Sequence, residues 1–369
     1  MPVTITGGVS FTGNGVTMAG APSAPTAGWF AGGFVSTIIS TVNRITFATD
    51  TATASVRGPL SIAKQYEAGT GTFTYGWFGA GANPSAISAV DRITYATDTA
   101  TATARGPLSS ARQSLVATGD NTTYGWFIGG FGGATVSTID RITYASDTAT
   151  ASVRGPIAAA AYNGAASTDT TTYGWFSYGR NDNPGRFSTV ARITYATDTN
   201  TASVRGPLSA AKYKLAATGT TAYGWYAGGK EFAVPEYSTV DRIDYANDTA
   251  TASVRGPLGA GVEEMRGSGD TTYGWFAGGK GSPGDKVSTV NRITYATDTA
   301  TGVTRGPLSA AKYGASQAGD TTAGWVAGGT YPDFSTIERI TYATDTATAT
   351  PRGPLASTAV RQAANAGQY

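Results

Sequence analysis

Tryptophan occurs seven times in this chain, always directly after glycine: Trp29, Trp77, Trp126, Trp175, Trp225, Trp275 and Trp325, at spacings of 48, 49, 49, 50, 50 and 50. Two further landmarks keep the same period. An Arg-Ile-Thr/Asp-aromatic motif begins at Arg44, Arg92, Arg141, Arg192, Arg242, Arg292 and Arg339. An Arg-Gly-Pro motif begins at Arg57, Arg105, Arg154, Arg205, Arg255, Arg305 and Arg352. A repeat of this length means stacked supersecondary units that share a core, not independent domains.

Each unit reads as four short strands. Around Trp225 these are Tyr213–Ala217, Tyr223–Ala227, Arg242–Ala246 and Thr251–Arg255, separated by polar turns and ended by Gly256-Pro257. The chain holds 50 Gly and 60 Thr, which disfavour helix; Thr favours strands. The expectation is an all-β chain: a seven-bladed β-propeller of four-stranded antiparallel blades over residues 27–369. The last unit stops after Arg361-Gln-Ala-Ala-Asn, which matches a first strand, and the first unit begins at Gly28-Trp29 without one. The C-terminal strand should therefore complete the first blade and close the ring, leaving no open sheet edge.

Composition removes whole classes of chemistry. Cys and His are both 0, which excludes disulfides, thiolate nucleophiles, Cys/His zinc sites and Ser-His-Asp triads. No cofactor, metal site or catalytic residue is expected. A net charge of +2 gives no reason to expect a nucleic-acid partner. No apolar run is long enough for membrane insertion, and no signal peptide is expected at the N-terminus.

The units resemble the kelch repeat. A double glycine ends the second strand at Gly32-Gly33, Gly129-Gly130, Gly228-Gly229, Gly278-Gly279 and Gly328-Gly329, and an aromatic follows in the third strand (Phe47, Tyr95, Tyr144, Tyr195, Tyr245, Tyr295, Tyr342). Two units depart, with Gly79-Ala80-Gly81 and Ser177-Tyr178-Gly179, and the Trp lies in the second strand rather than the fourth. The near-identical units also resemble the kelch-like virion structural proteins of phages of aquatic bacteria. That resemblance implies a non-enzymatic propeller on a phage tail or capsid surface, located in the virion. The alternative is a free lectin-like propeller, secreted or on a bacterial surface.

Residues 1–26 lie outside the repeat and carry no charged side chain. Asn14-Gly15 between short apolar runs signals a hairpin. A frayed tail is one reading. The other is an attachment arm that adds strands to other virion proteins or sister subunits, with Val3, Ile5, Val9 and Phe11 filling pockets.

The repeated residues read as structure. The two Arg rings should hold carbonyls or carboxylates between blades, with Asp91, Asp140, Asp241 and Glu338 nearby, although an axial anion site is the sharper alternative. The turn aspartates Asp50, Asp98, Asp147, Asp198, Asp248, Asp298 and Asp345 should cap their own turns. The Trp rings should pack blade against blade. Specificity is expected in the second-to-third-strand loops, which differ from unit to unit: Phe131, Tyr178, Arg180, Arg186, Phe187, Lys230, Phe232, Tyr237, Lys280, Lys286, Tyr331 and Phe334 are the candidate contacts for a host glycan or protein.

Overall fold

The repeat becomes seven four-stranded antiparallel sheets arranged as a propeller, six with their strands in chain order and one completed by the C-terminal strand. The computed structural model describes residues 9–12, 15–18, 26–168, 171–182, 185–232, 235–330 and 333–365. Among these there is no α-helix. Blade 5 comprises Ala216–Gly219, Tyr223–Ala227, Val240–Asp244 and Ser253–Arg255, and the other blades follow it. Blade 1 is closed as expected: Ala363–Asn365 pairs with Ala27–Ala31, placing Ala363 opposite Ala31 and Asn365 opposite Trp29.

The strands are shifted and shorter than the sequence suggests, for local reasons. Lys214 has φ 57°, so the first strand begins only after it. The Ala252 N–H donates to Pro207 O of the preceding blade, so the fourth strand begins at Ser253. The third strand ends at Asp244 because Tyr245–Asn247 coils into a 3-10 turn. All seven units contain this turn.

Register explains which repeated side chains meet. Trp225 lies opposite Arg242, and Val240 lies opposite Arg255. Side chains alternate between faces along a strand, so Trp225, Arg242 and Arg255 share one face and point at the next blade. The core is divided among the blade junctions. One cluster joins Trp77 and Val90 to Phe127, Ile142 and Tyr144 of the following blade.

The glycine of Arg-Gly-Pro marks a close approach rather than a chain break alone. Gly206 N–H donates to Asp248 O of the next blade at 2.7 Å, and a Cβ on Gly206 would overlap the Ala250 carbonyl. The double glycines have left-handed backbone, for example φ 62° and 90° at Gly228 and Gly229. Ala80 takes that conformation in place of a first glycine, with φ 62°.

Ahead of the propeller, Val9–Thr12 pairs with Gly15–Met18 as the expected hairpin. Thr12 lies opposite Gly15. Val3 and Ile5 lie outside the described residues; Val9 and Phe11 stand in the first strand of the hairpin.

Candidate functional site

One constellation recurs at all seven junctions. Trp126 Nε1 donates to Asp198 Oδ2 at 2.7 Å, and Arg141 Nη1 and Arg154 Nε lie 3.2 and 3.6 Å from the same oxygen. At ring closure, Trp325 Nε1 donates to Asp50 at 2.7 Å, with Arg339 and Arg352 each at 3.3 Å. The Trp ring stacks on the aromatic residue of the next blade, 4.2 Å between centroids for Trp126–Tyr195 and 4.0 Å for Phe47–Trp325. The turn aspartates are thus inter-blade anchors, not caps of their own turns. Burial makes a carboxylate worth more to the neighbouring blade's N–H donors than to a solvated turn. The Arg rings hold carboxylates between blades, as expected, but their partners are these aspartates and not the acids that precede the Arg-Ile motif.

Those preceding acids serve a second set of junctions. Lys64–Asp91, Arg112–Asp140, Lys212–Asp241 and Lys312–Glu338 are ion pairs of 2.7–2.8 Å whose side chains are all fully buried. In the other three blades the cation position holds Ala161, Val262 or Ala359, and the acid position holds Ala191, Asn291 or Asn43. Cation and acid disappear together, which is what burial demands, since a lone buried charge is costly. The acid also accepts a backbone N–H, as in Ser209 N–H to Asp241 at 3.0 Å, and asparagine keeps that bond in Gly259 N–H to Asn291 at 3.0 Å.

The axial end of the propeller carries a feature the sequence reading missed. Each connection from a fourth strand to the next first strand contains one left-handed residue: Tyr66, Ser114, Asn163, Lys214, Glu264, Gly314 and Arg361, with φ between 54° and 65°. Their backbones link blade to blade, as in Ser114 N–H to Tyr66 O and Asn163 N–H to Ser114 O, both 3.0 Å. A non-glycine residue here costs on the order of 1–3 kcal/mol, yet six of the seven are not glycine and no two share an identity. The seven residues border a cavity of about 590 Å³. The available signal was a fixed register position, two residues beyond Lys64 and its equivalents, whose side chain changes in every unit.

The second-to-third-strand loops share this face. Gln113 bridges to Phe131, Tyr162 to Arg180 and Tyr213 to Lys230. Of the loop candidates, Phe131 and Lys280 line the cavity. The Arg180 guanidinium lies 4.9 Å from the Tyr162 ring and 5.3 Å from the Tyr213 ring. Lys230 Nζ is held by Glu263 at 2.9 Å. Farther out, Arg186 covers the ring of exposed Phe232, Tyr237 donates to Glu231 at 3.0 Å, and Lys286 is exposed. Phe334 packs beside Lys312 Nζ, and Phe187 packs edge-on against Tyr178. Tyr178 itself is a correction: it is 3% exposed in the core, so its ring is not a ligand contact. Its hydroxyl accepts the Ala158 N–H. Tyr331 lies outside the described residues.

Charge is concentrated at one sector of the cavity. Lys214 pairs with Glu264 and lies 3.5 Å from buried Glu263. These carboxylates push the Lys214 ammonium above its ordinary value, against the desolvation that opposes it. Burial pushes the Glu67 carboxyl up to about 8, with Lys64 pulling the other way. Burial pulls the Arg266 guanidinium down, and Glu264 opposes it. Among the described residues, no group of three or more His, Cys, Asp or Glu side chains could hold a metal ion.

The fold and this axial face define a seven-bladed β-propeller. Among solved structures it is similar to that of YjhT, with a TM-score of 0.63 and 11% identity over 79% of this chain and 98% of that chain. At that identity the likeness shows the fold alone. No protein family matches the sequence, and no curated protein is similar to it in sequence.

Proposed function

We propose that this chain is a non-enzymatic, kelch-like virion protein, a rigid propeller on a phage tail or capsid surface whose axial face contacts a host glycan and whose residues 1–26 attach it to other virion proteins or sister subunits. One observation carries the reading: side chains that lock the blades together repeat seven times, whereas the seven left-handed residues that border the axial cavity differ at every blade. A scaffold held constant while one face varies is how propellers and other repeat proteins present a binding surface. The non-enzymatic part is supported by the carboxylates on that face, of which Glu263 is held by Lys230, Glu264 by Lys214 and Glu231 by Tyr237. The resemblance of the repeats to kelch-like virion proteins supports the location. The test is twofold: immunodetection of the chain in purified particles, and a glycan array probed with the full chain. Detection in particles together with array binding is expected. Absence from particles would favour the free lectin-like propeller, and absence of any array binding would overturn glycan contact.

A further inference from the structure

Two buried polar side chains of the axial cavity have unmet atoms. Gln362 is 7% exposed, and neither its Oε1 nor its Nε2 meets a hydrogen-bonding partner. Glu67, 8% exposed, accepts the Ala363 N–H through Oε1 at 3.3 Å, while its Oε2 has no partner. Both border the cavity. A buried polar atom left unmet is costly, and where it borders a cavity a bound molecule can complete its bonding.

The charges around the cavity do not balance. Its cations are Lys214, Arg266, Lys280 and Arg361, and its acids are Glu67 and Glu264. Glu264 is engaged by Lys214. With its carboxyl shifted up to about 8, Glu67 is mostly uncharged at neutral pH. In the lining, four cations therefore face one ionised acid, with Glu263 behind Lys214 as a second. Rings of Tyr66, Phe131 and Tyr162 also border the space, the Tyr66 ring with the Arg361 guanidinium 4.8 Å from its centre. A cavity of about 590 Å³ is large enough for more than one sugar ring; sites that enclose small ligands span roughly 300–1,000 Å³.

We propose that the axial cavity binds an acidic saccharide, its carboxylate or sulfate meeting the cations, its hydroxyls meeting Gln362 and Glu67, and its apolar ring faces lying on the aromatic side chains. The inference rests on the proposed glycan contact and names its site and chemical class. The charge excess argues for an anion, the unmet amide and carboxyl atoms for hydroxyl groups, and the aromatic lining for a ring-bearing ligand rather than a bare ion.

The experiment is calorimetric titration of the full chain with trigalacturonate, a sulfated carrageenan tetrasaccharide and neutral maltotriose. At least one acidic probe should bind ten or more times more tightly than maltotriose, and the difference should shrink as salt is raised. Lys280→Gln with Arg361→Gln should weaken the acidic probe at least tenfold at unchanged melting temperature. Gln362→Leu should weaken it through lost hydroxyl contacts; because this variant is buried, Gln362→Glu is measured beside it and should repel the anion. Equal affinity for neutral and acidic probes, no binding of either acidic probe, or indifference to the Lys280 and Arg361 changes would overturn the proposal. Array binding that persists in those variants would place glycan contact on the outer loops, overturning the axial site alone.

Discussion

The Tyr178 hydroxyl accepts the Ala158 backbone N–H at 3.0 Å, and in doing so replaces a side chain from another strand. In the other six blades the equivalent N–H donates to Asn43, Asp91, Asp140, Asp241, Asn291 or Glu338. Blade 4 has Ala191 at that position and supplies the acceptor from Tyr178, where other blades have glycine or alanine. The departure from the double glycine and the loss of the acid are one compensated change. Burial also pushes the Tyr178 phenol up, keeping the hydroxyl protonated.

Tyr178→Phe should therefore destabilise the propeller by ~1–2 kcal/mol, the usual cost of an orphaned buried N–H, with little change in volume. Urea denaturation measures it. A variant as stable as the natural chain would show that Ala158 needs no acceptor.

The buried pair Lys212–Asp241 allows a sharper experiment, because the chain itself contains the neutral alternative, Val262 with Asn291. Asp241→Asn alone strands a buried ammonium and should cost about 3–5 kcal/mol. Lys212→Val combined with Asp241→Asn should recover most of that loss. A double-mutant cycle reads the coupling. Additive costs, with no recovery in the double variant, would mean the pair is not energetically linked.

Ring closure and the blade count were legible because they depend on landmarks spaced along the chain: the Gly-Trp pairs and the incomplete first and last units. The strand shifts were not, because Ala252 and Lys214 are diverted by bonds to neighbouring blades that only the closed ring creates. For the same reason Asp198 read as a turn cap. Its carboxylate is local in sequence to Thr199, but its strongest donors, Trp126 and Arg141, are 72 and 57 residues away. The axial ring was hidden by its own variety, since a register position with seven different side chains leaves no motif. The outer loops also vary, and that drew the search for a site outward from the axis.

Glu67 makes stability depend on pH in a direction opposite to most carboxylates. Its folded-state value of about 8 lies above the ordinary 4.5, so the folded state retains a proton that the unfolded chain has released. Stability contributed by this group is full below about pH 4.5, declines through the window and is lost above about pH 8. Glu67→Gln removes the titration. Its stability relative to the natural chain should rise by at most about 1.4 kcal/mol per pH unit across the window and then level off. Thermal or urea denaturation of both chains from pH 4 to 9 measures it. A constant difference over that range would show that Glu67 ionises normally.

A vacancy at the seam between the last and first blades gives a gain-of-stability prediction. In five blades a tyrosine begins the second strand and lies under the Arg of the Arg-Ile motif, with the Arg carbon 4.0–4.6 Å from the ring centre, as for Tyr223 under Arg242. Blades 7 and 1 have Ala323 and Ala27 instead. Their arginines, Arg339 and Arg44, are 28% and 27% exposed, against 16–21% where the tyrosine is present. Beside Ala323 lies a cavity of about 440 Å³ lined by Trp325, Arg339 and Phe47. Ala323→Tyr should fill it with a ring already proven in this register, since Ala323 faces Thr341 as Tyr223 faces Asp244. The new cation–π contact is worth about 0.5–1 kcal/mol, and tyrosine suits a strand better than alanine. The melting temperature should rise, and Tyr223→Ala should lower it by a comparable amount through the reverse change. A lower melting temperature for Ala323→Tyr would mean that the space beside Trp325 cannot accept the ring and that the two alanines are required at the seam.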